Sequence, residues 1–246
     1  MARPGSRGTL LTVAPRATGS VDGLVAAVQS SERVGAAVVR VRVVDVGKAR
    51  EVVAALRERT SVIVRLAADA DRPKLLDAVP DSLVCPVDEP WESLVDLHDD
   101  LRERGIVPEY EVTGAAQFDV LRRLLGEHGP PSGGRVHVGL VLGTPGGLPG
   151  DAETLIESLR SLPEGASFSA AGVGVATIPV MLAALAVGGH LRVGMSDTES
   201  YAEGQPVRDD VQLVARAAGL AKIAQRPPLP VVEARELLGV HGPVRV

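Results

Sequence analysis

Short apolar runs rich in Val, Ile and Leu recur along the whole chain, separated by longer segments that carry charge on one face. The runs read as buried strands and the intervening segments as amphipathic helices, so the sequence predicts a succession of β-α units. Strands are expected at 10–14, 36–44, 61–66, 82–87, 107–112, 136–142, 167–171 and 190–193. Helices are expected at 21–33, 47–59, 72–78, 91–104, 115–128, 151–162, 175–187 and 209–225, with a short terminal one at 233–238. Asp151 can cap the segment that follows it and Pro163 follows that segment's end, while Gly105 closes the helix expected at 91–104. Runs such as VHVGLVL and SLVCPV are apolar at every position, as strands with both faces covered must be.

Eight such units in 246 residues predict a (β/α)8 barrel, a TIM-type fold, in preference to an open doubly wound sheet. Counting units does not itself establish closure. Neither 129–134 nor 227–230 is long enough to be a linker, so residues 1–246 are expected to form one domain. With 45% hydrophobic and 23% charged residues the chain has ample material for a core.

Charge and cysteine content remove several function classes. Acidic residues outnumber basic ones, 31 to 26, for a net charge of -5, the wrong balance for neutralising phosphates, so no nucleic-acid partner is expected. The single Cys85 forms no internal disulfide and builds no cysteine zinc cluster, which fits a reducing, cytoplasmic setting. It reads as a buried, inert thiol. The N-terminal segment is too poor in apolar residues for a signal peptide. The uncharged stretch 165–189 is broken by Ser, Thr, Gly and Pro, and reads as a buried strand, a glycine turn and a buried helix; no membrane association is expected.

In a closed barrel, alternate strand residues point inward and functional groups gather at the C-terminal ends of the strands. That parity puts Arg40 and Arg42 on one face of the second strand, and Glu109 and Glu111 on one face of the fifth. The eighth strand contributes Arg192, with Ser196 and Asp197 just beyond it. Two arginines and two glutamates balance, so an ion-pair layer is one reading of this set and a ligand site is another. Glycine clusters follow the sixth and seventh strands, with Gly143 in the first and Gly172 and Gly174 in the second. Such turns suit an anion and equally suit tight packing. No nucleotide-binding glycine motif is present. The five histidines show no paired metal-ligand spacing. His98 and His128 lie in charged helical segments and are expected to be solvated, whereas His137 and His190 fall near strand starts, away from the usual active end.

The segments GGHLRVGMSD, LVLGTPGG, GIVPEYEV and VARAAGLAKIAQRPPLPVVEARELLG together resemble the beta-keto acid cleavage enzyme family, typified by 3-keto-5-aminohexanoate cleavage. The resemblance follows the same order along nearly the whole chain and is clearest from about residue 105. It implies a (β/α)8 barrel, usually a homo-oligomer, with a divalent metal, typically zinc. It further implies retro-Claisen acyl transfer in which a β-keto acid and acetyl-CoA, the co-substrate, yield acetoacetate and an acyl-CoA. The family's arginine falls on Arg192, its aspartate on Asp197, and its strand-five glutamate on Glu109. The family's metal ligands fall on Arg40, Arg42 and Ser196, none of which replaces a histidine-carboxylate zinc site. No metal or other cofactor is therefore expected. The family's acidic residue near the N-terminus is not recoverable in LTVAPRATGS, and its arginine after the seventh strand is Val175. Two readings follow: an acyl-transferring enzyme in which Arg40 and Arg42 polarise the oxygens of a β-keto acid, or a silent barrel that binds a small carboxylate or acyl-CoA or supports an active paralogue.

Overall fold

The computed structural model describes residues 8–16, 20–67 and 72–241. Eight parallel strands close into a barrel in sequential order, β1 pairing with both β2 and β8. The strands are β1 (Leu11–Val13), β2 (Val38–Arg42), β3 (Ile63–Ala67), β4 (Ser82–Pro86), β5 (Val107–Val112), β6 (His137–Leu142), β7 (Ser167–Gly172) and β8 (His190–Val193). Around them run α1 (Val21–Arg33), α2 (Ala49–Arg59), α3 (Arg72–Asp77), α4 (Trp91–Glu103), α5 (Gln117–His128), α6 (Ala152–Arg160), α7 (Thr177–Ala186) and α8 (Asp210–Ile223), followed by α9 (Val231–Leu238). The barrel reading holds, and closure is now explicit.

Side-chain parity divides each strand between two environments. Outward residues such as Val39, Val64, Leu83, Tyr110, Leu140 and Leu191 join the large core beneath the helices. Inward residues of the lower barrel, Val38, Ile63 and Val107, cluster with Leu10 and Ala37 from the same end and with Leu229, Ala234, Leu238 and Val240. Helix α9 and the segment before it thus form an apolar floor. Chain pairing secures this end, because Thr9 N–H donates to Pro227 O at 2.9 Å and Leu229 N–H donates to Thr9 O at 2.9 Å. With the floor sealed, the C-terminal strand ends are the open side.

Several helix starts are fixed by side chains that accept from free backbone amides. Ser20 caps α1 through Gly23 N at 3.1 Å, Asp151 caps α6 through Thr154 N at 2.8 Å, and Asp209 caps α8 through Gln212 N at 2.8 Å. The expected helices at 47–59 and 175–187 each begin as a single 3-10 turn, Val46–Lys48 and Gly174–Ala176, before the α-helix proper. Beyond β8 the chain adds a small antiparallel hairpin, β9 (Ser200–Ala202) and β10 (Gln205–Pro206), that the sequence reading does not contain. One expectation needs correction: α7 is not a buried helix, since Leu182 on its outer face and Val187 just past its end are exposed. Among the described residues no helix is long and apolar enough to cross a membrane.

Candidate functional site in the barrel mouth

Above the apolar floor the inward positions become polar and charged. Strand registers set Arg40 beside Arg65, Arg65 beside Ser82, Glu111 beside Gly139, and Ser169 beside Gly139 and His190. The deeper layer is built on Arg65 and Glu109, each 1% exposed, with Arg65 Nη1 donating to Glu109 Oε1 at 2.5 Å. Arg65 Nε donates to Ser82 Oγ at 3.0 Å. Gly139 makes room for this layer, because a Cβ there would lie 3.0 Å from Glu109 Cδ. Burial lowers the Arg65 pKa from its ordinary value despite the opposing pull of Glu109.

Beside this pair lie two buried histidines. His137 makes contacts of 2.8 Å and 2.9 Å to the hydroxyls of Ser167 and Ser169, and its Nε2 is 3.9 Å from Glu109 Oε1. His190 Nδ1 accepts from Leu10 N–H at 3.0 Å, and the two rings lie 6.2 Å apart. Burial, reinforced by Arg65 for His137 and by His137 and Arg226 for His190, holds both pKa values well below the ordinary histidine range. Both rings are therefore neutral at physiological pH.

The upper layer is a chain of alternating charges. Arg40 Nη2 donates to Glu111 Oε2 at 3.0 Å and Oε1 at 3.3 Å, and Arg192 Nη1 donates to Glu111 Oε2 at 2.7 Å. Arg192 also grips Asp197 with two bonds, Nη2 to Oδ1 at 2.8 Å and Nε to Oδ2 at 3.2 Å. Burial by itself lowers the Arg192 pKa, but Asp197 and Glu111 more than reverse this and hold it above the ordinary arginine value. Among the described residues, three buried polar atoms in the barrel, Arg40 Nε, Glu109 Oε2 and Thr12 Oγ1, have no protein partner.

The structure thus brings Arg40, Glu109, Glu111, Arg192 and Asp197 together, but it pairs them differently from the simplest balance. Glu109 serves Arg65, a residue that sequence reasoning missed although the same inward parity marks it in β3. Arg42 is exposed at the rim, at the end of β2, and is not without a partner. Ser196 is exposed, with its hydroxyl donating to Pro15 O at 2.7 Å. The glycine turns face inward on the protein itself. Gly143 N–H donates to Leu148 O at 2.8 Å and Gly174 N–H to Asp197 O at 2.9 Å, so neither amide is open to an outside anion. A Cβ at Gly172 would collide with the Ala176 carbonyl, and packing is its reason. His98 is a further correction: it is buried, and its Nδ1 lies 2.8 Å from Tyr110 Oη. His128 is half-buried, edge-on to Trp91. Residues 17–19 of the divergent N-terminal segment lie outside the described residues.

The donor set does not suit a divalent cation. Where the resemblance places metal ligands stand two cationic guanidiniums and a serine whose hydroxyl is directed at a backbone carbonyl. Among the described residues no group of three or more His, Cys, Asp or Glu is arranged to hold a metal ion.

Comparison with known proteins adds independent findings. The profile of the beta-keto acid cleavage enzyme family matches residues 19–240. A 3-keto-5-aminohexanoate cleavage enzyme from Acetoanaerobium sticklandii is 32% identical over 140 residues, 56% of this chain and 50% of that protein. A 3-oxoadipate:acetyl-CoA acetyltransferase from Cupriavidus necator is 31% identical over 110 residues, 44% of this chain and 39% of that protein. These alignments span half or less of the curated relatives' length. Among solved structures, apo ObcA superposes with a TM-score of 0.73 at 17% identity, covering 90% of this chain and 65% of that one, a likeness of fold.

Proposed function

Because this chain belongs to the beta-keto acid cleavage enzyme family, we propose that its barrel mouth binds a small β-keto acid or a related carboxylate, with an acyl-CoA as the companion ligand, on guanidinium groups and without zinc-dependent cleavage. The observation that carries this reading is the Arg40, Glu111, Arg192, Asp197 chain. It keeps two arginines of the barrel's upper layer in fixed orientation, in a buried setting where their charge acts strongly. A ligand carboxylate enters by competing with Glu111, which both guanidiniums share. Arg40 and Arg192 then donate to the ligand's oxygens, including a keto oxygen as it gains negative charge.

The same chain favours the silent reading over the catalytic one. Three nitrogens of Arg192 are already engaged by carboxylates, and a guanidinium does not accept the protons that carbon-carbon cleavage must move. Glu109, the other candidate acid-base group, is held by Arg65 deep in the barrel.

Zinc analysis of purified protein, calorimetric titration with acetoacetate and longer β-keto acids, and an acetyl-CoA-dependent acyl-transfer assay test the proposal together. Saturable binding without zinc or turnover is expected, weakened about tenfold or more in Arg192→Met, which loses charged hydrogen bonds. Stoichiometric zinc together with acetoacetate formation overturns it, as does absence of binding.

A further inference from the structure

Side chains that point into the barrel stack in levels drawn from alternate strands. One level holds Thr12, Arg65, Glu109 and Ser169, and the next toward the mouth holds Arg40, Gly139 and Arg192. Within the lower level the two oxygens of Glu109 differ. Oε1 accepts from Arg65 Nη1 at 2.5 Å, whereas Oε2, on a side chain 1% exposed, has no partner among the described residues. The hydroxyls nearby are committed elsewhere: Ser82 accepts from Arg65, and Ser167 and Ser169 meet His137. A buried carboxylate oxygen without a donor is costly, and it marks a place where a donor belongs.

The structure keeps Glu109 within reach of the mouth. Gly139 stands beside its carboxylate without a side chain, where a Cβ would lie 3.0 Å from Glu109 Cδ and 3.3 Å from Oε1. Glu111 covers Glu109 instead, two residues further along the same face of β5, and it is held there by Arg40 and Arg192. A ligand carboxylate that takes the place of Glu111 on those guanidiniums therefore has Glu109 beneath it. Arg40 Nε, one level above Glu109, is a further buried donor with no partner among the described residues.

We propose that the ligand of the mouth is a β-hydroxy acid, its carboxylate on Arg40 and Arg192 and its hydroxyl donating to Glu109 Oε2; this rests on the mouth being the carboxylate site proposed above. Positions two apart on one strand are separated by roughly 7 Å. A β-hydroxyl sits about 3 Å from its own carboxylate and its hydrogen bond adds about 2.7 Å, which spans most of that interval. The hydroxyl oxygen, while donating, still accepts, so Arg40 Nε finds an acceptor on the same ligand. A keto oxygen in that place sets lone pairs against the lone pairs of Oε2 with no proton between them. The β-hydroxy acid also has no keto group to cleave, in keeping with a site that binds without turnover.

Calorimetric titration of the full chain compares butyrate, acetoacetate and each enantiomer of 3-hydroxybutyrate, acids of one chain length that differ only at the β-carbon. One enantiomer should bind about tenfold or more tightly than both acetoacetate and butyrate. Glu109→Gln keeps an oxygen for Arg65 and sets an amide NH2 where Oε2 stands, so the order of hydroxy and keto acid should reverse. Gly139→Ala, which lays a methyl group against Glu109, should erase the preference and serves if Glu109→Gln folds poorly. Acetoacetate or butyrate binding as tightly as the better enantiomer, or a preference that neither variant moves, overturns this inference and leaves the carboxylate site standing. Binding of none of the acids overturns the site and this inference with it.

Discussion

At the scale of single residues the molecule depends on charges placed where water cannot reach them. The Arg65 and Glu109 pair is buried, so removing one partner leaves the other uncompensated. Arg65→Met should cost about 3–5 kcal/mol of stability, whereas the double variant Arg65→Met with Glu109→Leu should recover a large part of it; urea denaturation measures both. His137 and His190 have folded pKa values well below the ordinary 6.5, so at moderately acid pH the unfolded chain binds protons that the folded chain refuses. Their contribution is therefore complete above about pH 7, and stability falls as the pH drops below about 6.5, by up to about 2.7 kcal/mol per pH unit for the two rings. His98, also buried and also held below the ordinary value, adds to the measured slope, so His190→Gln should remove one ring's share, up to about 1.4 kcal/mol per pH unit, from denaturation curves taken between pH 7.5 and 5.5, and a slope unchanged by the substitution refutes the assignment.

Elements are held by features that act at their ends. Strand β8 closes the barrel against β1, and Gly194 just beyond it lies so near Ala14 that a Cβ would strike that residue's backbone. Gly194→Ala should cost about 1–3 kcal/mol through overpacking, read as a lower urea midpoint. Asp209→Ala removes the cap of α8 and should cost about 1 kcal/mol. Many element boundaries were legible because they depend on local chemistry: Val21–Arg33, Val107–Val112 and His190–Val193 fall where the sequence puts them. The hairpin of β9 and β10 was not legible. Its residues, SYA and QP, have neither the length nor the apolar content that marks a strand, and pairing alone defines them.

At the scale of the whole molecule, the barrel sets an apolar floor against a polar mouth. If the mouth takes a carboxylate without a metal, EDTA should leave the melting temperature unchanged. A β-keto acid at ten times its Kd should stabilise by about 1.4 kcal/mol, a rise of roughly 3–5 °C for a domain of this size. Differential scanning fluorimetry distinguishes the two, and a fall in melting temperature with EDTA would show that a bound metal supports the fold.

The sequence by itself determined the β-α alternation, the parity that turns Arg40, Glu109, Glu111 and Arg192 inward, and the family to which those motifs belong. Each of these is a local property, a period of two or 3.6 or a short string of residues, and survives in one dimension. Which carboxylate meets which guanidinium was decided only by the closed barrel. Partners across it lie 44 residues apart for Arg65 and Glu109 and 81 apart for Glu111 and Arg192, and strand stagger sets their relative heights. The buried place of His98 was likewise hidden, because a histidine among charged neighbours is buried only when another element, here β5 with Tyr110, covers it.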